Sequence, residues 1–236
     1  SDRGSLSIGT THTQARYVLP RVIRDFRAKY PDVQLHLHQG TSDQIAEMAS
    51  LDRIDFAINT GSQDKFPDFV LLPCYSWHRQ IIVPKDHPLA QIAKPTLQQL
   101  AEYPLVTYVF SFTGPSSLHQ QFARAGLEPN VSLTARDADV IKTYVRLGLG
   151  VGVVASMAIE PEDEKDLAVV EAGHLFPQHI TWLGFRAGAL LRGFTYDFIQ
   201  LLAPNLSRER IERILSAPTP AAREKLISAI DVPKYD

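Results

Sequence analysis

The sequence contains a single cysteine, Cys74, among 236 residues. One cysteine excludes an intramolecular disulfide and a cysteine-rich zinc site, and it favours a reducing, cytoplasmic setting. No run approaches the roughly 20 apolar residues that a membrane-spanning helix needs, so we expect no membrane partner. These absences leave a chain whose stability must come from an ordinary hydrophobic core.

The sequence also lacks a large excess of charge of either sign. Lys and Arg number 24 against 26 Asp and Glu, which gives a formal net charge of -2. Because a DNA-binding surface needs a clustered cationic surplus, this balance argues against DNA binding by the chain itself. Hydrophobic residues make up 44% and charged residues 21%, which excludes disordered, collagenous and coiled-coil classes.

Strands and amphipathic helices alternate along the first 60 residues. Strand patterns occupy residues 5–9, 33–37 and 55–59. The helix between the first two strands carries Val18, Val22 and Phe26 on one face. Thr41 and Gln44 form a capping box that begins the next helix. This order predicts a parallel α/β sheet covered by helices.

A second α/β series follows an extended apolar run at residues 70–83. Pro73 interrupts this run, which places a crossing between two lobes near residues 74–77. Within the second series, Thr96 and Gln99 form another capping box. Further patterns predict strands at 105–108, 131–134 and 152–155, and helices at 115–126 and 138–147.

The return crossing is predicted at the apolar run 180–185. We therefore predict a first, discontinuous lobe (1–75 and 181–205), a second lobe (76–180) and a helical C-terminal tail (206–236). The acidic segment 160–166 is interpreted as a surface turn. Because the chain begins without Met and without a secretory leader, we expect a piece of a longer, non-secreted protein.

The clearest candidate for a binding loop is Thr10-Thr11-His12-Thr13-Gln14, between the first strand and the first helix. In parallel sheets, ligands bind beyond the carboxyl ends of strands, and a helix N-terminus attracts anions there. The alternative is a plain N-cap. Capping uses one hydroxyl or amide side chain and not four, so the loop predicts a ligand site.

Two other hydroxyl groups follow predicted strand ends. Thr60 precedes Gly61 at the end of the third strand, where a simple turn residue is the alternative, and Thr113 lies in the loop of residues 112–116. Arg and Lys are scarce in these loops. Sulfate, or a small neutral or zwitterionic ligand, fits such a donor set, because sulfate carries no proton at pH 7.

Other motifs do not support catalysis or a cofactor. Gly148–Gly152 resembles a dinucleotide loop, but it follows a helix and enters a strand, so we interpret it as a helix stop and a packing site. Cys74, in an apolar stretch, is expected to be a core residue. His36 and His38 share one strand face but lack a third metal ligand. With no hydrolase, metalloprotease or phosphate-loop motif present, we predict that the chain is not an enzyme.

Four segments resemble the effector-binding domain of LysR-type transcriptional regulators, in particular the branch that activates the cysteine regulon. They are residues 10–17, 36–40, 72–75 and 137–152, and the likeness runs from about residue 4 to about residue 205. The resemblance implies two Rossmann-like lobes joined by two crossing strands, as in type II periplasmic binding proteins. It also implies a small-molecule effector in the cleft between the lobes.

The same resemblance implies the effectors and partners. N-acetylserine or O-acetylserine would be inducers, with sulfate or thiosulfate as opposing ligands. The matching ligand-binding positions are Thr11, Thr13, Gln14, Thr60, Trp77 and Thr113. The family's winged helix-turn-helix is not in the sequence, so promoter DNA would be bound only through a part outside it. The effector domain would form a homodimer and the full-length protein a tetramer.

Two alternatives remain open from the sequence. A periplasmic solute-binding protein has the same two-lobed architecture, and so do some small-molecule enzymes. An export leader in the parent gene would favour the first, and turnover of an acetylated serine would favour the second.

Overall fold

The computed structural model of the chain describes residues 3–112 and 117–235. The described residues form two compact α/β units. The first contains the residues up to Ser76 and from Ile180 onward, and the second contains Trp77–His179. The chain passes from one to the other within two strands, so the predicted fold of two α/β lobes joined by crossing strands is confirmed.

The regular elements alternate as the sequence patterns predict. The strands are β1 (Gly4–Thr10), β2 (Val33–Gln39), β3 (Phe56–Thr60), β4 (Phe69–Trp77), β5 (Arg79–Pro84), β6 (Leu105–Tyr108), β7 (Val131–Ala135), β8 (Val151–Ala155), β9 (Leu167–Val170) and β10 (His179–Arg186). The α-helices are α1 (Leu19–Lys29), α2 (Ser42–Ser50), α3 (Leu97–Ala101), α4 (Leu118–Arg124), α5 (Ala138–Arg146), α6 (Gly193–Leu202), α7 (Arg208–Leu215) and α8 (Pro220–Ser228).

The first unit is built on a five-stranded sheet with the order β2-β1-β3-β10-β4. β1 is parallel to β2 and to β3, whereas the returning strand β10 is antiparallel to β3. The carboxyl ends of β1 and β3 therefore lie at one edge of the sheet, together with the first residues of β10. Beside this sheet, Phe26 of α1 packs its ring against Phe194 and Phe198 of α6, with centroids 6.4 and 5.5 Å away.

The second unit is built on a sheet with the order β7-β6-β8-β5-β9. Its core includes Ile81, Leu105 and Phe122, which are fully buried. Gly148 ends α5 with a φ of +77°, and a Cβ on Gly152 would lie 2.5 Å from Ile82 Cγ1. The glycine-rich segment is thus a helix stop and a packing site, as predicted, and not a dinucleotide loop.

The interpretation of residues 160–166 as a surface turn is wrong for Asp163. This residue is only 6% exposed, and its carboxylate contacts Lys142 Nζ at 2.7 Å and Arg146 at 2.8 Å. Burial alone would raise the pKa of Asp163, but hydrogen bonds from Lys142, from the backbone of Glu160 and from Arg146 lower it below its usual value. The acidic segment therefore supplies a buried ion-pair network.

Two details of the strands also differ from the sequence patterns. The short strand β9 was not predicted, because its four residues are too few to show a period. The alternation of apolar and polar residues over 33–37 predicts that Leu37 lies on a buried face of β2, yet it is 42% exposed. β2 is an edge strand, and its last four residues are all exposed.

The predicted C-terminal helices are present as α7 and α8. Ile211 and Ile214 of α7 are buried, while the two charged residues between them, Glu212 and Arg213, are exposed. No helix in the described parts of the chain combines the length and apolar character needed to cross a bilayer.

Candidate functional site

The first helix begins with a π turn at the end of β1. His12 and Thr13 open the helix, residues Gln14–Val18 form the π turn, and α1 follows directly. A π turn is rare and is frequently found at functional sites. The sequence predicted a helix here but not the π turn, because the apolar stripe begins only at Val18.

Two of the threonines at the start of this helix, Thr10 and Thr13, do not act as ordinary caps. Thr13 is at the N-cap position of the π turn, but its side chain makes no capping hydrogen bond. The hydroxyl of Thr10 donates instead to the Ile58 carbonyl of β3 at 2.9 Å. Thr11 is half-buried, and its carbonyl accepts from the Ala15 N–H at 3.1 Å. The hydroxyls of Thr10 and Thr13 therefore do not cap this helix.

Four neutral side chains meet at the edge of the first sheet, and we call them the amide–hydroxyl group: Gln14, Thr60, Tyr75 and Thr181. The Gln14 Nε2 amide donates to Thr181 Oγ1 at 3.4 Å, and Thr181 Oγ1 lies 2.7 Å from Thr60 Oγ1. Thr60 and Thr181 are direct partners in the β3–β10 register. The phenol of Tyr75 donates to Gln14 Oε1. These bonds form one connected chain of side chains.

The structure brings together some of the residues that the sequence predicted. Gln14 and Thr60 are linked through Thr181, and Thr11 and Thr13 lie just before Gln14 on the same turn. Thr113 lies outside the described residues. Trp77 belongs to the second unit, where its buried ring packs on another residue of that unit, His179.

Sequence reasoning missed Tyr75 and Thr181. A signal for Thr181 was present, because it is the only hydroxyl residue in the apolar run 180–185. A buried hydroxyl in such a strand needs a partner, which marks the strand as facing other polar groups. Tyr75 gave no comparable signal, since an aromatic residue in an apolar strand is ordinarily a core residue.

The electrostatics of the amide–hydroxyl group favour a ligand that accepts hydrogen bonds. Burial raises the pKa of Tyr75 well above its usual value, so its phenol stays protonated and donates. With the Gln14 carbonyl oxygen occupied by this phenol, the other end of the amide presents N–H donors. Together with the helix N-terminus, these donors suit the oxygen atoms of an anion.

Cys74 lies beside this group and is chemically inert. It is buried in β4, and burial raises the pKa of its thiol to about 12. The thiolate is therefore not formed at neutral pH, as the sequence predicted.

The partly buried imidazole of His179, which packs against Trp77, predicts that the stability of the fold depends on pH. The ring centroids are 4.6 Å apart, and burial, together with the positive charge of Arg79, lowers the pKa of His179 to about 4. Below its ordinary pKa of about 6.5, the unfolded chain binds a proton that the folded chain does not bind until about pH 4. Stability contributed by neutral His179 is thus complete at pH 7.5 and is lost as the pH falls towards 4.

We therefore expect His179→Gln to reduce the pH dependence of unfolding. When the pH falls from 7.5 to 5.5, the free energy of unfolding of the parent chain should fall by about 1 kcal/mol more than that of the variant. Urea denaturation at each pH measures this difference. His119→Gln, which changes an exposed histidine of α4, is the matched control. Equal pH dependence in the parent and in His179→Gln would contradict the expectation.

Comparison with known protein families decides between the alternatives that the sequence left open. The family of the LysR substrate binding domain matches residues 1–207. The chain belongs to this family. It is 49% identical over 214 residues to the HTH-type transcriptional regulator SsuR of Burkholderia cenocepacia, a match covering 91% of this chain and 70% of that protein.

Other relatives agree with this assignment. The chain is 46% identical over 231 residues to the HTH-type transcriptional regulator CysB of Haemophilus influenzae, covering 98% of this chain and 71% of that protein. Among solved structures, the cofactor-binding domain of the Cbl transcriptional regulator matches with a TM-score of 0.83 and 43% identity, over 90% of this chain and 93% of that domain. The predicted regulator domain is confirmed, and these relatives are transcriptional regulators, not enzymes.

Proposed function

We propose that this domain senses small effectors for a regulator of sulfur assimilation and cysteine biosynthesis. The amide–hydroxyl group binds N-acetylserine, O-acetylserine, sulfate or thiosulfate. The observation that carries the proposal is the Gln14 amide, whose oxygen is occupied by Tyr75 and whose nitrogen is directed to the hydroxyls of the neighbouring strands. The similarity to CysB and to Cbl supports the class of effector.

The proposed ligands share the chemistry that this group recognises. Each carries carboxylate or sulfur-bound oxygen atoms that accept hydrogen bonds, and none needs a positively charged partner when several donors converge. Thr11 and Thr13, which lie just before Gln14, supply further donors in this proposal, and the Thr13 side chain makes no capping bond. Thr113 and Trp77 complete the set of contacts that the resemblance implies.

Binding alone does not regulate transcription. A ligand changes the state of a regulator only when it binds two arrangements of that regulator with different affinities. We propose that the two α/β units are the two lobes of the sensor, and that an effector favours one arrangement of them.

In this proposal, promoter DNA and the other subunits are partners of the full-length protein. Promoter DNA would be bound by a helix-turn-helix outside residues 1–236, and the domain would pair as a homodimer within a cytoplasmic tetramer. We expect no salt-resistant gel shift of a sulfur-assimilation promoter by residues 1–236. A tight complex that persists at high salt would contradict this division of roles.

Calorimetric titration tests the proposed ligands. The chain is titrated with N-acetylserine, O-acetylserine, thiosulfate and sulfate, with N-acetylalanine as a matched control that lacks the serine hydroxyl. We expect saturable binding of at least one of the four, and weaker binding of N-acetylalanine than of N-acetylserine. A folded chain that binds none of the four would overturn the proposed function.

A further inference from the structure

The last described residues return to the first sheet. We call Pro233–Tyr235 the C-terminal strap. The Ser76 N–H donates to the Pro233 carbonyl at 2.8 Å, and the Tyr235 N–H donates to the Ser76 carbonyl at 2.9 Å. Lys234 forms a parallel bridge with Ser76 between these two bonds. The strap is thus paired, backbone to backbone, with the end of β4.

The approach to the strap is also anchored. Ile230 is buried, and the Asn205 Nδ2 amide donates to the Asp231 carbonyl at 3.2 Å. These contacts fix the chain on both sides of Val232. The strap is therefore a built part of the first unit and not a loose end of α8.

The strap contacts one member of the amide–hydroxyl group directly. The rings of Tyr235 and Tyr75 lie 5.0 Å apart, centroid to centroid, at an angle of 54°. Tyr75 is buried, and its phenol is the donor to Gln14 Oε1. A displacement of Tyr235 would uncover the Tyr75 ring and weaken the restraint on its phenol.

The orientation of the Gln14 amide decides which ligands can bind. A carboxamide has an accepting oxygen at one end and two N–H donors at the other, and a flip exchanges them. Tyr75 stays protonated because it is buried, so it holds the oxygen end and leaves the donor end for Thr181 and a ligand. Without this phenol, the amide would lose its preference for acceptor ligands.

We propose that the C-terminal strap is a positioning element of the effector site. By holding Tyr75, it fixes the Gln14 amide with its donors towards the ligand. The strap thereby gives the site its selectivity for anions and other acceptors. This inference rests on the proposed function, because the strap is proposed to position residues of the same effector site.

Two measurements on the whole chain test the role of the strap. The first is the side-chain amide resonance of Gln14 in protein labelled with ¹⁵N-glutamine, recorded without ligand and assigned by its absence in Gln14→Glu. The second is the dissociation constant of thiosulfate and of N-acetylserine from calorimetry. The variants are Tyr75→Phe and Tyr235→Ala, with Tyr235→Phe as the variant that keeps the ring and Lys225→Ala as an exposed control on α8.

We expect Tyr75→Phe and Tyr235→Ala to shift the Gln14 resonance. Affinity should fall roughly tenfold in Tyr75→Phe, which loses one hydrogen bond, and roughly threefold in Tyr235→Ala. Tyr235→Phe and Lys225→Ala should match the parent in both measurements, and melting temperatures show whether each variant is folded. An unmoved Gln14 resonance in Tyr235→Ala would overturn the role of the strap, whatever Tyr75→Phe shows and whatever the chain binds. Absence of ligand binding by the parent would instead overturn the proposed function.

Discussion

Gln14→Glu is expected to weaken the binding of anionic effectors severely. The substitution keeps the shape of the side chain and an oxygen that accepts from Tyr75, so the fold should be retained. It replaces the N–H donors with a second carboxylate oxygen, which removes a charge-assisted hydrogen bond and adds repulsion between like charges. Together these effects should weaken thiosulfate binding by roughly 100-fold or more, measured by calorimetry at pH 8, which favours the ionised carboxylate.

The matched control is Gln98→Glu, the same chemical change at an exposed position of α3. It alters the net charge equally but lies outside the first unit. We expect the control to bind like the parent. Similar affinities in Gln14→Glu and Gln98→Glu would show that Gln14 does not contact the anion.

Asp163→Ala is expected to have the largest effect on stability. Its carboxylate contacts Lys142, which is only 3% exposed, and it also accepts from Arg146 and from the Glu160 N–H. Removing one partner of a buried ion pair leaves the other charge in a poorly solvated place. We expect a loss of about 3–5 kcal/mol in the free energy of unfolding, measured by urea denaturation.

Asp166→Ala is the control for this network. Asp166 is 54% exposed and contacts Arg146 at 2.7 Å, so solvent screens the pair that it forms. The urea midpoint should therefore change far less than in Asp163→Ala. Equal losses in the two variants would mean that the burial of Asp163 and Lys142 does not determine their contribution.

Features that depend on neighbouring residues could be predicted from the sequence. The capping boxes at Thr41 and Thr96 are present, because the partner of each threonine is three residues away. The order of strands and helices also followed from apolar periods. This local information was sufficient for the two α/β lobes and for the loop that contains Gln14.

Features that depend on pairing distant strands could not be predicted in the same way. Thr181 meets Thr60 only because β10 returns antiparallel beside β3, 121 residues later in the chain. Asp163 was assigned to the surface because its neighbours are acidic, yet its partner Lys142 lies on α5. A register between remote segments leaves no period in the sequence, so such contacts require the structure.

A crystal structure of the chain grown with thiosulfate tests the binding site most directly. We expect a thiosulfate oxygen at about 3 Å from Gln14 Nε2, with the Tyr75 phenol still donating to Gln14 Oε1. Thiosulfate bound elsewhere, with Gln14 bonded only to Tyr75 and Thr181, would contradict the proposal that this amide holds the effector.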